Sequence, residues 1–324
     1  MNTATTEGAR PLVSVVIPAY NAQAYLGACL NSVQAQAGGF ELQTIVMDDG
    51  SKDATSVVAR AHAGVDLLRH PANRGPSQAR NTGITAARGE FVAFLDADDL
   101  WPPGKLAAQL AVLQQQPSAA LVFGDCRQFD ETGPRALTQF ESGRLGASAW
   151  GTGEIVPDAY MRLLDDNFIT TGSVVARRMA LTQAGGFAED LRLVEDLDLW
   201  LRISRSHPIA WCSEVCLLRR RHDAHLSRDP EAMSLAYLEV LRRQPASEGG
   251  ATRGLLKQLA MLTAREQLHL ADLALRRGRA DAGLHWALKS LRTRPGARAL
   301  LRAGHATLLR LVPSTLRRAG AKNS

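Results

Sequence analysis

The sequence has no long hydrophobic segment. Nowhere among its 324 residues is there a run approaching the roughly 20 apolar residues that a membrane-spanning helix needs. Residues 1–10 also lack the apolar core of a signal peptide. We therefore predict that residues 1–11 are a flexible N-terminus and that the protein stays in the cytoplasm.

Cysteines are few, and their spacing does not form a metal-binding pattern. The chain has neither paired Cys-x-x-Cys spacing nor a histidine pattern near any of its four cysteines, Cys29, Cys126, Cys212 and Cys216. A structural zinc site needs such clustered ligands. We predict reduced, mostly buried thiols and no zinc.

A glycine-rich dinucleotide fingerprint is also absent. The turn after the first predicted strand reads Pro18-Ala19-Tyr20-Asn21, where Gly-x-Gly-x-x-Gly would be required. This disfavours a nicotinamide-dependent oxidoreductase.

Charge is unevenly distributed along the chain. Residues 1–240 have 21 basic and 28 acidic residues, a net charge of −7, whereas residues 241–324 have 17 and 4, a net charge of +13. This asymmetry predicts a basic tail that meets an anionic surface, either membrane lipid or nucleic acid. Nucleic acid is disfavoured because the tail lacks interleaved aromatic residues and any recognised reading motif.

Apolar runs typical of buried strands alternate with helical patterns over the first part of the chain. The predicted strands cover residues 12–17, 42–47, 65–69, 91–95, 120–123, 171–176 and 209–218. Alternating strands and helices predict an α/β fold, a mostly parallel sheet flanked by helices. Asn21 is predicted to cap the first helix, and residues 102–103 to start the helix that precedes the strand at 120–123. The predicted apolar faces of these two helices are Leu26, Cys29, Leu30 and Val33, and Leu106, Leu110 and Leu113. Residues 125–166 have no clean periodicity and are predicted to form loops. From about residue 229 the chain looks all helical, and residues 264–293 resemble one tetratricopeptide-type hairpin. We predict domains at residues 12–228 and 229–324.

Acidic residues follow the most apolar strand directly. Phe91 to Leu95 is followed by Asp96, Asp98 and Asp99, which cannot belong to the core. Ligands of open α/β sheets lie beyond the carboxyl ends of strands, and a magnesium-like ion takes one or two carboxylates there. The alternative is that Asp99 caps a helix beginning near residues 102–103, with the other two as solvated charges.

Two further acidic pairs stand at element ends. Asp48 and Asp49 follow the second strand, and Glu195 and Asp196 begin a helix with one apolar face. Taken singly, the first pair is compatible with a tight turn, and the second with acids that stabilise a helix N-terminus.

Together these elements resemble family 2 glycosyltransferases in order and spacing. The resemblance covers about residues 12–227 and rests on residues 13–21, 48–53, 73–75, 79–83, 94–99 and 195–196. It implies the GT-A nucleotide-diphospho-sugar transferase fold, an activated sugar donor, a divalent metal (Mn²⁺ or Mg²⁺) and inversion at the anomeric carbon.

The resemblance also implies roles for individual residues. Asp196 matches the catalytic base, Asp98 the metal ligand, and His222, in an Arg220-x-His222 element, a residue that helps hold metal or diphosphate. Without the resemblance, His222 would be taken for a surface or loop residue. The positions that correspond to nucleotide contacts are Pro18, Ala19, Tyr20, Asn21, Asp48, Asp49, Arg80, Asp96 and Ala97.

The expected activity is transfer of a sugar, with a UDP-sugar favoured, to a hydroxyl acceptor in cell-surface polysaccharide or glycolipid synthesis. One alternative is a degenerate, non-catalytic nucleotide-sugar-binding protein that acts through its helical tail. Another is a haloacid-dehalogenase-like phosphatase, suggested by Asp96-x-Asp98, but Leu100 stands where that class has Thr or Val.

The basic tail adds a prediction about location. Its arginines, mixed with leucine-rich segments, predict contact with anionic lipid, which would place the protein on the inner face of the plasma membrane beside a lipid-linked acceptor. The alternative is a solvated, salt-bridged helical cap.

Overall fold

The computed structural model describes residues 10–143, 150, 154–221, 229–244 and 253–311. The chain divides into two compact units, Met1–His225 and Leu226–Ser324. The sequence predicts this boundary slightly further along, after residue 228. Of the predicted flexible N-terminus, residues 1–11, residues 1–9 lie outside the described residues.

The first unit is built on one mixed sheet. Its strands are β1 Leu12–Ala19, β2 Glu41–Asp48, β3 Val65–Arg69, β4 Phe91–Phe94, β5 Leu121–Asp130, β6 Gly133–Pro134, β7 Val175–Arg177 and β8 Ile209–Arg220. Their spatial order is β3-β2-β1-β4-β7-β5-β6, and β8 also pairs with β5.

Strands β3, β2, β1 and β4 pair in parallel, as the alternation of strands and helices predicts. Strand β7 then runs antiparallel between β4 and β5, while β8 is parallel to β5. All four residues of β4 are buried, which explains their continuous apolar sequence. Leu95 is also buried, and the first partly exposed residue after β4 is Asp96.

Helices cover the sheet. They are α1 Leu26–Gln34, α2 Thr55–Ala61, α3 Pro76–Ala86, α4 Lys105–Gln115, α5 Gln139–Ser142, α6 Ala159–Asp165, α7 Arg178–Gln183 and α8 Glu195–Ser204, with a 3₁₀ turn at Thr171–Ser173. The apolar faces predicted for α1 and α4 are buried. For example, Leu30 and Leu106 are both fully buried in the core.

Three local predictions were wrong. Asn21 does not cap the first helix, because α1 begins at Leu26 and the Asn21 side chain instead accepts a hydrogen bond from the amide of Lys52. Helix α4 begins after Gly104, which has a left-handed conformation that glycine tolerates, and not at the preceding prolines. The strand predicted at residues 171–176 is mostly a 3₁₀ turn, with β7 beginning only at Val175.

The region predicted as loops, residues 125–166, is more ordered than expected. Strand β5 continues to Asp130, and α5 and α6 lie within the same region. Helix α5 begins with a capping box of Thr138 and Glu141, whose side chains and amides bond reciprocally. Residues 144–149 and 151–153 lie outside the described residues.

The second unit is helical. It contains α9 Pro230–Arg242, α10 Arg253–Arg276, α11 Ala280–Thr293 and α12 Ala297–Leu311. The predicted antiparallel hairpin is confirmed, because α10 and α11 join through Gly278 and Ser290 donates to the Ala264 carbonyl at 2.8 Å. Within the described ranges, no helix has the length and apolar character to cross a membrane.

Candidate active site

The candidate site lies at the carboxyl ends of β1, β2 and β4. These neighbouring strands are parallel, so Ala19, Asp48 and the acids after Phe94 arrive at the same edge of the sheet. The amide of Asp49 donates a hydrogen bond to the Ala19 carbonyl at 2.8 Å, which holds the ends of β1 and β2 together. This is the edge where open α/β sheets bind their ligands.

Asp48 is turned into the protein. Its Oδ1 accepts from the Ser51 amide at 2.8 Å, and its Oδ2 accepts from the Ser56 hydroxyl and lies 3.6 Å from Arg69 Nε. Burial opposes ionisation, yet the hydrogen bonds from Ser51 and Ser56, with Arg69, lower the pKa of Asp48 below its usual value. The side chain therefore closes the turn after β2 and is fully buried.

Asp49 is also buried, and its two oxygens hold a neighbouring turn. They accept from the backbone amides of Arg74, at 3.0 Å, and Gly75, at 2.8 Å. His70 Nδ1 lies 2.7 Å from Asp49 Oδ1, and its Nε2 lies 3.0 Å from the Thr82 hydroxyl. No motif points to His70, which stands alone just after β3.

The segment after β1 packs against this turn. The Asn21 amide donates to the Ser51 hydroxyl at 3.0 Å, and Asn21 has a left-handed backbone with φ of 50°. This fixes the exit of the strand. Pro18 is half-buried and Ala19 is buried, while Tyr20 has 47% of its surface exposed.

The three acids after β4 differ in their surroundings. Asp99 is buried and accepts from the Arg220 amide at 2.8 Å, so it ties β4 to the end of β8 and does not cap α4. Burial, with the charges of Asp96 and Asp98, raises the pKa of Asp99 well above its usual value. Asp98 is half-buried, and the Asp96 side chain is 38% exposed.

Arg220 fixes the backbone of this acidic turn. Its Nε donates to the Asp98 carbonyl at 2.9 Å. Its guanidinium lies over the rings of Tyr25 and Phe129, 5.0 and 4.5 Å from their centroids. His222, predicted to act two residues later, lies outside the described residues.

Arg80 links the acidic turn to the helix that carries the predicted base. Its Nη2 donates to Asp96 Oδ1 at 2.8 Å, and its Nη1 donates to Glu195 Oε1 at 2.7 Å. Arg80 is buried, and the two carboxylates overcome the burial cost and raise its pKa. The guanidinium of Arg80 is therefore engaged within the protein.

Asp196 is held by three donors. Its Oδ1 accepts from the Leu197 amide at 2.7 Å and from Asn167 Nδ2 at 3.2 Å, and its Oδ2 accepts from the Thr171 hydroxyl at 3.2 Å. Burial nevertheless raises the pKa of Asp196. Asn167 lies outside every predicted element and Thr171 begins a predicted strand, and neither belongs to a motif, so the sequence did not indicate them as partners of Asp196.

The backbone before Asp196 is strained. Val194 has φ of 61°, a left-handed conformation that a β-branched residue rarely adopts and that costs about 1–3 kcal/mol. Burial also raises the pKa of the adjacent Glu195, with Arg80 opposing the shift and Asp196 adding to it. The turn into α8 thus combines backbone strain with two poorly solvated carboxyl groups.

The residues after β4 suit a hard divalent cation. Asp96 and Asp98 offer oxygen donors at a partly exposed turn. A magnesium-like ion takes only one or two such carboxylates and completes its shell with water and phosphate oxygens. No cluster of three or more metal-ligating side chains occurs in the part of the chain that the structure describes, which leaves His222 out.

Comparison with known proteins gives consistent matches. The family model for glycosyl transferase family 2 matches residues 14–181, about half of the chain. An uncharacterized glycosyltransferase of Rickettsia typhi is 26% identical over 267 residues, covering 82% of this chain and 79% of the relative. The putative glycosyltransferase EpsH of Bacillus subtilis is 33% identical over 126 residues, 38% of this chain and 36% of its own.

Solved structures share the fold. S. aureus TarS 1-349, crystallised with UDP-GlcNAc, superimposes with a TM-score of 0.63 at 17% identity, covering 92% of this chain and 87% of its own. The mannosyltransferase PcManGT of Pyrobaculum calidifontis, solved with GDP-Man and Mn²⁺, gives 0.56 at 20% identity, covering 97% and 84%. The predicted fold and transferase class are confirmed, and this chain belongs to glycosyl transferase family 2.

Proposed function

We propose that this protein transfers a sugar from a nucleoside-diphosphate donor, with a UDP-sugar favoured, to an acceptor hydroxyl with inversion at the anomeric carbon. The observation that carries the proposal is the carboxylate of Asp196. It has a raised pKa, three fixed donors and a connection through Glu195 and Arg80 to Asp96 at the strand edge.

Asp196 is the proposed general base. Its carboxylate takes the proton of the acceptor hydroxyl as that oxygen bonds to the anomeric carbon, while the bond from this carbon to the diphosphate breaks. A positioned base typically contributes 10²–10⁴-fold to such a step, most effectively when its pKa approaches the working pH. The raised pKa of Asp196 is in the required direction.

The strand exits form the proposed nucleotide site. Tyr20 exposes its ring beside the buried Ala19, so it is the residue best placed to stack on a base. Asn21 and Ala97 line the same edge by their positions after β1 and β4. Because the carboxylates of Asp48 and Asp49 already hold neighbouring turns, we assign them a positioning role beside any contact with the nucleotide.

Asp98, with Asp96, would hold a divalent metal ion, to which His222 is the proposed further ligand. When bound, such an ion neutralises charge on the departing diphosphate without a proton transfer. Asp96 also accepts from Arg80, so Arg80 positions one of the two carboxylates. The mannosyltransferase neighbour was solved with Mn²⁺, which favours the same ion here.

The proposed acceptor is a saccharide or a lipid-linked saccharide in cell-surface polysaccharide or glycolipid synthesis, used at the inner face of the membrane. The relative EpsH is named a putative glycosyltransferase, which supports glycosyl transfer at the level of the family. The competing proposal, a non-catalytic sugar-nucleotide binder, predicts that donor binds without turnover.

A binding test separates donor classes. Thermal unfolding is measured with UDP, GDP and dTDP, with and without Mn²⁺, on the native chain and on Asp98→Ala. We expect one diphosphate to stabilise the protein only with Mn²⁺, and the variant to lose this effect. Ligand at a hundredfold excess over its Kd stabilises by about 2.7 kcal/mol. The proposal fails if none of the diphosphates stabilises the native chain.

A further inference from the structure

Helix α12, Ala297–Leu311, exposes three of its leucines, while Leu309 is half-buried. Leu300, Leu301 and Leu308 are 62%, 70% and 66% exposed. Its buried residues are alanines, Ala299 and Ala306. A surface helix of a globular protein ordinarily buries its largest apolar side chains, so α12 has the reverse arrangement.

The exposed leucines lie on one face. At 100° per residue, positions 300, 301, 304 and 308 fall within about 100° of one another, and the buried positions 299 and 306 lie opposite. Position 304 is an exposed glycine, so the face is a continuous apolar strip. We name Leu300, Leu301, Gly304 and Leu308 the leucine strip.

The sequence that contains the leucine strip is strongly basic. Residues 282–324 contain nine Lys or Arg and no Asp or Glu. On α12, Arg302 and Arg310 pair with Asp272 and Asp281 of the neighbouring helices, and Arg310 lies 2.8 Å from its partner. Arg298 is exposed on the flank of the strip, one turn from Leu301. Because Arg302 and Arg310 are ion-paired with acids, Arg298 is the arginine of these three that adds net positive charge beside the apolar face.

We propose that the leucine strip inserts into the interface of an anionic lipid bilayer, with α12 lying in the membrane plane. Amphipathic helices with basic flanks bind anionic membranes in this way, burying the apolar face about 5–10 Å into the headgroup boundary. A second copy of the chain fits the strip less well, because it would bring another acid-free basic segment against the first. Membrane binding by α12 does not depend on the proposed function. That the membrane supplies a lipid-linked acceptor does rest on it.

The test is vesicle flotation of the full chain. Vesicles of phosphatidylcholine alone are compared with vesicles that also contain phosphatidylglycerol, at low and high salt. The variant Leu300→Gln/Leu301→Gln/Leu308→Gln removes the strip. The matched control Val57→Gln/Leu137→Gln/Met179→Gln changes three similarly exposed apolar side chains of the first unit.

We expect the native chain and the control to float only with anionic vesicles, and less at high salt because salt screens the attraction. The strip variant should bind at least about tenfold more weakly. Equal flotation of the strip variant and the native chain would overturn the proposal, as would no flotation of either. A native dimer that the strip variant dissociates, seen by sedimentation velocity, would identify a second copy as the occupant instead.

Two controls keep the result interpretable. Circular dichroism and the thermal unfolding midpoint confirm that the strip variant folds, which we expect because its substituted side chains are exposed. Stabilisation by a diphosphate with Mn²⁺ is measured on the same variant. If no diphosphate stabilises either the native chain or the strip variant, the result counts against the transferase site and leaves the membrane result unaffected.

Discussion

Replacing Thr171 tests whether its hydroxyl lowers the pKa of Asp196. The Thr171 hydroxyl donates to Asp196 Oδ2 at 3.2 Å and so favours the charged carboxylate, which burial disfavours. Thr171→Val keeps the shape of the side chain and removes this donor. The pKa of Asp196, already raised, should then rise further.

The size of this shift follows from the geometry. A hydrogen bond to a charged group contributes about 1.5–3 kcal/mol, and the 3.2 Å separation places this one at the lower end. One pKa unit corresponds to about 1.36 kcal/mol, so we expect a shift of about one unit. The donors Leu197 and Asn167 remain and limit the effect.

The assay is the pH dependence of kcat/KM for sugar transfer. A base must be deprotonated, so activity falls as pH drops through its pKa. In Thr171→Val the acid limb should move about one unit towards higher pH, with activity largely retained above it, and Thr171→Ser should restore the native limb. A uniform loss at every pH with an unmoved limb would refute the assignment.

Three further changes test the site. Asp196→Asn should slow transfer at least about 10²-fold. It should also raise the unfolding temperature at neutral pH, because a carboxyl with a raised folded-state pKa destabilises the fold when it ionises above that pKa. An unchanged or lower unfolding temperature contradicts this. Asp48→Asn should destabilise the fold at neutral pH, measured by urea unfolding. The difference from native should shrink as pH falls through the lowered pKa of Asp48, and a difference independent of pH contradicts this. Arg80→Lys should weaken Mn²⁺-dependent diphosphate binding by titration calorimetry, since lysine cannot bridge Asp96 and Glu195 with a planar fork; native affinity contradicts this.

Local patterns predicted the first half of the sheet well. Strands such as Phe91–Phe94 are buried on both faces, so their sequence is continuously apolar and easily identified. The parallel pairing followed from alternation with helices. The antiparallel β7 was not predicted in direction, because its three residues have no periodicity that encodes orientation.

The acidic residues of the site were found by their positions at strand and helix ends. The local sequence could not distinguish a ligand-binding from a structural role, because Asp98 and Asp99 are adjacent and chemically identical. Only the tertiary contact between Asp99 and the Arg220 amide shows that Asp99 is structural. The same holds for Asp48, whose partners Ser56 and Arg69 come from later elements.

The partners of Asp196 could not be predicted because they come from distant positions. Asn167 and Thr171 precede it by 29 and 25 residues, and they meet it only through the packing of the first unit. Their types are common in loops and carry no motif. The left-handed backbone of Val194 runs against the preference of valine, and local propensity cannot indicate it.

The most direct test of the proposed catalytic role compares native protein with Asp196→Asn in donor binding and turnover. Titration calorimetry measures the affinity for the diphosphate with Mn²⁺, and diphosphate release is followed with the matching sugar nucleotide and an acceptor. We predict native affinity in the variant and a loss of turnover of at least about 10²-fold. Turnover at the native rate in a variant that binds donor normally would show that Asp196 is not the base.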